Sequence, residues 1–126
     1  MISFTIPIKA ISEANQRCHW AVKAKRSRTQ RNMARIHASV AFNRVPMCKR
    51  SMGHLLARFK VTLEITLTRV GIRKMDSDNL SGSCKAIRDG IADALEIDDG
   101  DERLDWQYRQ EVGKVYCVKV EIKAKQ

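Results

Sequence analysis

Asp76 and Asp78 are separated by one residue in Asp76-Ser77-Asp78-Asn79-Leu80, and Asp98-Asp99-Gly100-Asp101 packs three more carboxylates into four positions. In extended backbone, residues i and i+2 point to the same side, so Asp76 and Asp78 can face one cation. Mg²⁺ is a hard ion that prefers oxygen ligands and usually keeps several waters. The spacing excludes an EF-hand, which needs D-x-D-x-D-G, and neither acidic stretch supplies it. A glycosidase carboxylate pair is possible in principle. The basic N-terminal part and the 6% aromatic content argue instead for phosphate over sugar stacking.

The surroundings of these carboxylates sharpen the reading. The formal net charge is +10. Residues 1–75 carry 16 Lys/Arg against 2 Asp/Glu, residues 76–105 carry 3 against 10, and residues 106–126 carry 5 against 2. Basic surface attracts phosphate and releases its counterions. A concentrated acidic segment would repel the same partner unless a divalent cation neutralised it. On charge alone, a metal site and an acidic loop that merely aids solubility are equally good explanations.

The elements that must position these residues follow from periodicity. Ile2, Phe4, Ile6 and Ile8 alternate with polar positions and predict a half-buried strand, with Pro7 favouring an edge or the strand end. Residues 11–23 read as a loop. A helical stripe of Met33, Ile36, Val40 and Ala41 predicts a helix from about Arg28 to Arg44, with Arg28, Arg31, Arg35 and His37 on its other faces. Val45 to Leu56, with Pro46 and Gly53, reads as a connection. Phe59, Val61, Leu63, Ile65 and Leu67 alternate strictly and give the clearest strand. Leu80, Cys84, Ile87, Ile91 and Leu95 form one apolar face of a helix from about Asp78 to Leu95, about 26 Å long. Gly82 and Gly90 interrupt it, at roughly 1 kcal/mol each relative to Ala. Each marks either a close contact or an imperfect helix. Leu104, Trp106 and Tyr108 alternate, Gly113 marks a hairpin turn, and Val118, Val120 and Ile122 alternate again. The expected fold is α/β (α+β): one small domain over 1–126, with a mixed sheet of about four strands and two main helices. No apolar run is long enough to span a membrane. No signal peptide is visible, and the scattered Cys18, Cys48, Cys84 and Cys117 match no zinc pattern, so reduced thiols in a cytoplasm are expected.

Taken together, Asp76-Ser77-Asp78-Asn79-Leu80, a lysine and aspartate four apart (Lys85, Asp89), Asp93-Ala94-Leu95 and Asp98-Asp99 resemble the RusA family of Holliday junction resolvases, common in phages and prophages. The motif-bearing part covers about residues 76–104. The rest agrees more loosely, through a short strand ending near a proline, an Asn-containing loop, a basic helix and a long strand before the DxDN. The resemblance implies a small homodimeric α/β nuclease of a bacterial cell or phage. Such an enzyme uses Mg²⁺, with Mn²⁺ able to substitute, to cut four-way DNA junctions by paired phosphodiester cleavage. It implies metal ligation by Asp76, Asp78 and Asp99, and a catalytic role for Lys85. The family's best-known member carries its lysine closer to the DxDN; here Leu80-Ser81-Gly82-Ser83-Cys84 intervenes, about one helical turn more. Read without the resemblance, Lys85, Asp89 and Asp93 are a solvated helix face.

On this reading a metal-activated water attacks the phosphodiester in line, and Lys85 supports the developing negative charge. Asp98 and Asp101 offer oxygens for a second ion. Lys23, Lys25, Arg26, Arg28, Arg31 and Arg35 would hold DNA backbones, and Arg69, Arg73 and Lys74 would sit near the scissile phosphate. Each arginine taken singly is equally well a solvated surface charge. A homodimer would present two sites in matching geometry for two related cuts, with Trp106 and Tyr108 serving either its interface or the core. The competing expectation is a basic nucleic-acid-binding protein of a phage or prophage without catalysis. It accounts for the basic charge equally well but not for converging carboxylates.

Overall fold

The computed structural model describes residues 2–11, 20–44 and 61–125. The loop expected around Asn15, Gln16 and His19, the connection from Val45 to Leu56, and Phe59 at the start of the long strand lie outside them. The element order is β1 (Ile2–Ile6), α1 (Trp20–Asn43), β2 (Thr62–Gly71), α2 (Ser77–Ser83), α3 (Lys85–Leu95), β3 (Leu104–Val112) and β4 (Cys117–Lys125). The four strands form one mixed sheet in the order β1-β4-β2-β3, an α+β arrangement as expected.

Strand alternation sorts the residues between two faces. Ile2, Phe4 and Ile6 pair with Ile122, Val120 and Val118, which pair in turn with Ile65, Leu67 and Arg69. Leu63, Ile65 and Leu67 are matched with Leu104, Trp106 and Tyr108. This face packs against the helices and supplies most of the core, together with Ala34, Ala38 and Phe42 of α1 and Ile87, Ile91 and Leu95 of α3. Phe4 and Phe42 meet edge to face, with ring centroids 6.4 Å apart. The other face is largely polar. There, cross-strand pairs join Lys119 to Glu111 at 3.0 Å and Lys125 to Asp105 at 2.8 Å. Pro7 follows β1 directly, and β1 is an edge strand.

Three details differ from the expectations of periodicity. First, β3 and β4 are not a hairpin. β3 runs parallel to β2, while β4 lies antiparallel on β2's other side. The chain crosses the end of β2 at Gly113, whose N–H donates to the Gly71 carbonyl at 2.9 Å. A Cβ on Gly113 would stand 2.7 Å from Val70 Cγ1, so glycine there serves a close crossing.

Second, α1 begins eight residues before Arg28 and buries Ala34, Ala38 and Phe42, leaving Ile36 51% and Val40 47% exposed. The small side chains win because α1 lies directly on α3. A Cβ on Gly90 would overlap the Arg31 carbonyl oxygen and come within 2.7 Å of Ala34 Cβ. Gly90 therefore marks a close helix–helix approach, whereas Gly82 has open space around it.

Third, the helix expected over 78–95 is two helices. Ser83 Oγ donates to the Leu80 carbonyl at 2.7 Å, competing with the backbone ladder, and Cys84 N–H reaches back only to Ser81 O. Cys84 itself sits at φ −99°, ψ 2°, outside helical geometry. The apolar face of Leu80, Cys84, Ile87, Ile91 and Leu95 nevertheless stays buried across the break. Burial pushes the Cys84 thiol up. Cys84 and Cys117 are free thiols.

Candidate active site

Asp76 is carried to its place by a short segment leaving β2. Arg69 Nε donates to the Ala10 carbonyl at 3.1 Å and its Nη1 to the Arg73 carbonyl at 2.9 Å. The Arg69 guanidinium lies where a Cβ on Gly71 would be, so Gly71 makes room for it. One step further on, Gln110 of β3 clamps Met75 with both ends of its amide: Met75 N–H donates to Oε1 at 3.0 Å, and Nε2 donates to the Met75 carbonyl at 2.8 Å. Asp76 follows in extended backbone as the cap of α2, its carbonyl accepting from Asn79 N–H and Leu80 N–H at 3.0 Å each. Its side chain makes no cap hydrogen bond. Asp76 and Asp78 are both exposed at this helix start.

These contacts reassign one residue. Arg69, expected to meet DNA, is only 7% exposed, and its donors are turned to backbone carbonyls. β2 runs on past Leu67 to Gly71, and its alternation carries Arg69 to the core-facing side opposite Val118. Arg73 and Lys74 are exposed immediately before Asp76.

The second acidic stretch does rejoin the helices. Glu96 ends α3 in the left-handed conformation (φ 59°, ψ 37°), with Ile97 N–H donating to Ala92 O, and the chain turns back beside α3. Asp99 Oδ2 then lies 3.1 Å from Lys85 Nζ and 3.2 Å from Arg88 Nε. Lys85 also donates to Asp89 Oδ1 at 2.8 Å. Arg31 on α1 completes the network with two bonds to Asp93, at 2.6 and 2.8 Å. The electrostatic consequences follow the contacts. The Lys85 ammonium, with some help from Asp98 and Arg88, holds the Asp99 carboxyl below the usual range. The Arg31 guanidinium does the same for Asp93. Asp89, followed by Asp99, raises Lys85. Asp101 is brought down to about 2 by Arg103, which donates to it from its backbone and its guanidinium. Asp98 accepts from Gly100 N–H within its own turn.

The expected site residues are therefore brought together in part. Lys85 and Asp99 touch. Asp76 and Asp78 stand at the far end of α2, and Asp78 and Lys85 no longer share one continuous helix. Among the described residues, no three or more His, Cys, Asp or Glu side chains gather as a metal-holding group. Asp76 is extended but Asp78 lies in the first turn of α2, so the two are not neighbours on one extended segment as their spacing predicted. Asp76 and Asp78 are two exposed carboxylates of the kind Mg²⁺ takes together with waters and phosphate oxygens. Asp99 is engaged by Lys85 and Arg88, and Asp101 by Arg103.

The basic residues of α1 divide between two sides of the helix. Arg28 and Arg31 line a small cleft of about 140 Å³ together with Ser27, Lys85, Ala86 and Asp89. Lys25 and Arg26 line a wider groove of about 520 Å³ beside Pro7, Ile8 and Lys9. Lys23 lies near the start of the same helix. Two residues of the site had no role in the sequence reading. Arg88 reaches both Asp99 and β3, and Gln110 clamps Met75. Arg88 stands three positions after Lys85, which puts both on one helix face, and that spacing was the available signal. Trp106 and Tyr108 are engaged within the chain, by Asp99 and Arg88 respectively.

No protein-family model matches the chain, and no curated protein is significantly similar to it.

Proposed function

We propose that this chain is a Mg²⁺-dependent, structure-specific endodeoxyribonuclease that cuts four-way DNA junctions, acting as a homodimer. The observation that carries the reading is the placement of Lys85. Its ammonium is held by Asp89 and Asp99, yet its side chain stays 62% exposed on a cleft shared with Arg28 and Arg31. A fixed, exposed cation beside basic helix surface is suited to a phosphodiester, where it can stabilise charge developing on an oxygen. Asp76 and Asp78 would hold the metal, with DNA phosphate oxygens among its remaining ligands. Bound there, Mg²⁺ supplies Lewis acidity and neutralises charge on the phosphoryl group.

The chain's own residues do the rest. Arg73 and Lys74 draw the backbone toward Asp76, and Arg28 steers the strand along α1. Asp99 orients Lys85. The carboxylates hold the metal without contributing base recognition, so selection of a branched substrate rests on shape and on two sites related by a two-fold axis. A basic protein that binds DNA without cutting it is the competing reading. It leaves exposed Asp76 and Asp78 beside Arg73 and Lys74 unexplained.

The test is cleavage of a labelled four-way junction and a matching linear duplex, each with and without Mg²⁺. Junction cleavage only with Mg²⁺ is expected. Asp76→Asn should abolish it while junction binding is kept or strengthened, because the substitution removes a ligand and a repulsive charge together. Cleavage retained by a clean Asp76→Asn preparation would sink the assignment. A mass measurement giving monomer alone at working concentration would remove the dimer.

A further inference from the structure

We infer that Arg88 is a positioning residue of this site: it fixes the chain at Asp99, by side chain and backbone at once, so that the Asp99 carboxylate stands against Lys85. The inference rests on the nuclease reading above for its consequence, though not for its geometry.

Three elements meet at the Arg88 guanidinium. Nη2 donates to the Asp99 carbonyl at 3.0 Å, and Nη1 donates to Tyr108 Oη at 3.1 Å. Nε lies 3.2 Å from Asp99 Oδ2, an ion-pair contact whose alignment is too poor for a hydrogen bond. The guanidinium also stands over the Trp106 ring, 5.1 Å from its centroid. Trp106 Nε1 donates to the same Asp99 carbonyl at 2.9 Å. One backbone oxygen thus accepts from α3 and from β3 together, which locks the loop residue to both. Lys85, one turn earlier on α3, contacts the same carboxylate oxygen that Arg88 approaches. A planar fork with separate donors serves this arrangement. A lysine at position 88 would keep the charge but could not span Tyr108 and Asp99 in one plane.

Arg88 points into the protein, not into the cleft of Arg28, Arg31 and Lys85, so its effect on cleavage runs through Asp99. A displacement of the order of 1 Å at a reacting group can cost about a hundredfold in rate. Arg88→Lys is therefore expected to lower kcat between about tenfold and a hundredfold with KM changed less than about twofold.

The experiment is a double-mutant cycle with an optical arm. Arg88→Lys and Asp99→Asn are made singly and together in a Trp20→Phe background, where Trp106 is the one remaining tryptophan. Junction cleavage gives kcat and KM, and acrylamide quenching reports on Trp106. Support is a loss of kcat from Arg88→Lys that vanishes when Asp99 is already Asn, with quenching of Trp106 raised. Equal losses in both backgrounds, or a raised KM with kcat intact, would mean that Arg88 acts on DNA directly and would overturn the inference. If Arg88→Lys does not fold, Tyr108→Phe removes one partner of the guanidinium and should show the same non-additivity in smaller measure; additivity there overturns it equally. If the unaltered chain cuts nothing with Mg²⁺, the nuclease reading falls. Quenching then decides the clamp: a rise in Arg88→Lys upholds it, and no change overturns it.

Discussion

Arg69 and Arg31 do two different jobs, and their surroundings separate them. Arg69 is buried and ties the start of the Asp76 segment to the strand end through two backbone carbonyls. Hydrogen bonds from a charged donor are worth about 1.5–3 kcal/mol when lost. Arg69→Met should destabilise the fold by about that amount, read from the urea midpoint. Arg31 instead pins α1 to α3 through Asp93 across partly exposed surface. Pairs of that kind contribute about 0.2–1 kcal/mol. The sign of their pH dependence follows from Asp93, whose carboxyl Arg31 holds below its usual value. A depressed carboxylate contributes stability that is fully present above its unfolded pKa, about 3.9, and is lost as pH falls through the lower folded value. Arg31→Met should therefore be less stable than the parent at pH 7, and the gap between the two should narrow in urea titrations as pH falls below about 3.9. A gap that persisted undiminished there would show that the pair is not its source.

The α1–α3 contact is where helix packing and site geometry meet, because Arg31, Asp89, Asp93 and Lys85 all lie along it. Gly90 sets how closely the two axes approach. Gly90→Ala would gain helix propensity but force Cβ into α1 backbone, and overpacking of this type costs about 1–3 kcal/mol. Gly82→Ala meets nothing within 4 Å and should be neutral to stabilising, by up to about 1 kcal/mol. The contrast is measured by denaturant unfolding of both variants; equal effects would refute the packing account. Much of this was readable beforehand. The Leu80, Cys84, Ile87, Ile91 and Leu95 stripe located the buried face, and Gly90 stood out as a place of close approach or imperfection. The break at Cys84 was not readable, since it depends on a Ser83 hydroxyl choosing the Leu80 carbonyl over solvent.

For the molecule as a whole, two layers divide the labour. The helices and the carboxyl end of β2 carry the candidate site, while the outer sheet face is laced with cross-strand pairs such as Lys119–Glu111 and Lys125–Asp105. The basic excess should make DNA binding strongly salt-dependent. Each phosphate contact contributes a slope of about −0.9 in log K against log salt. Arg73→Ala should reduce the magnitude of that slope by about one contact with the unfolding midpoint unchanged. Arg69→Met, in conditions where it is folded, should leave the slope as it is. Titration of a labelled junction over a salt series separates the two, and the reverse pattern would return Arg69 to the DNA surface. Among the described residues, no helix is long and apolar enough to cross a membrane.

Hydrophobic period and local spacing determined the strands, the α3 core face and the Lys85–Asp89 contact, because each depends on residues at most a few positions apart. Pairings between distant segments were beyond such signals. Whether β3 and β4 would form a hairpin or straddle β2, and which face of α1 would be buried, depended on competition among whole elements for the same core. Arg69 looked like a surface cation from its neighbours in sequence, and became an internal brace once Ala10 and Arg73 presented carbonyls to it. The two acidic stretches offered five carboxylates of one chemical type, Asp76, Asp78 and Asp99 being the three expected to hold a metal. Folding placed Asp76 and Asp78 at an open helix start and returned Asp99, through the left-handed turn at Glu96, to Lys85 and Arg88. Identical carboxylates thus differ in their surroundings, because the turn after α3 brings Asp99 back against the Lys85 and Arg88 side chains of that helix.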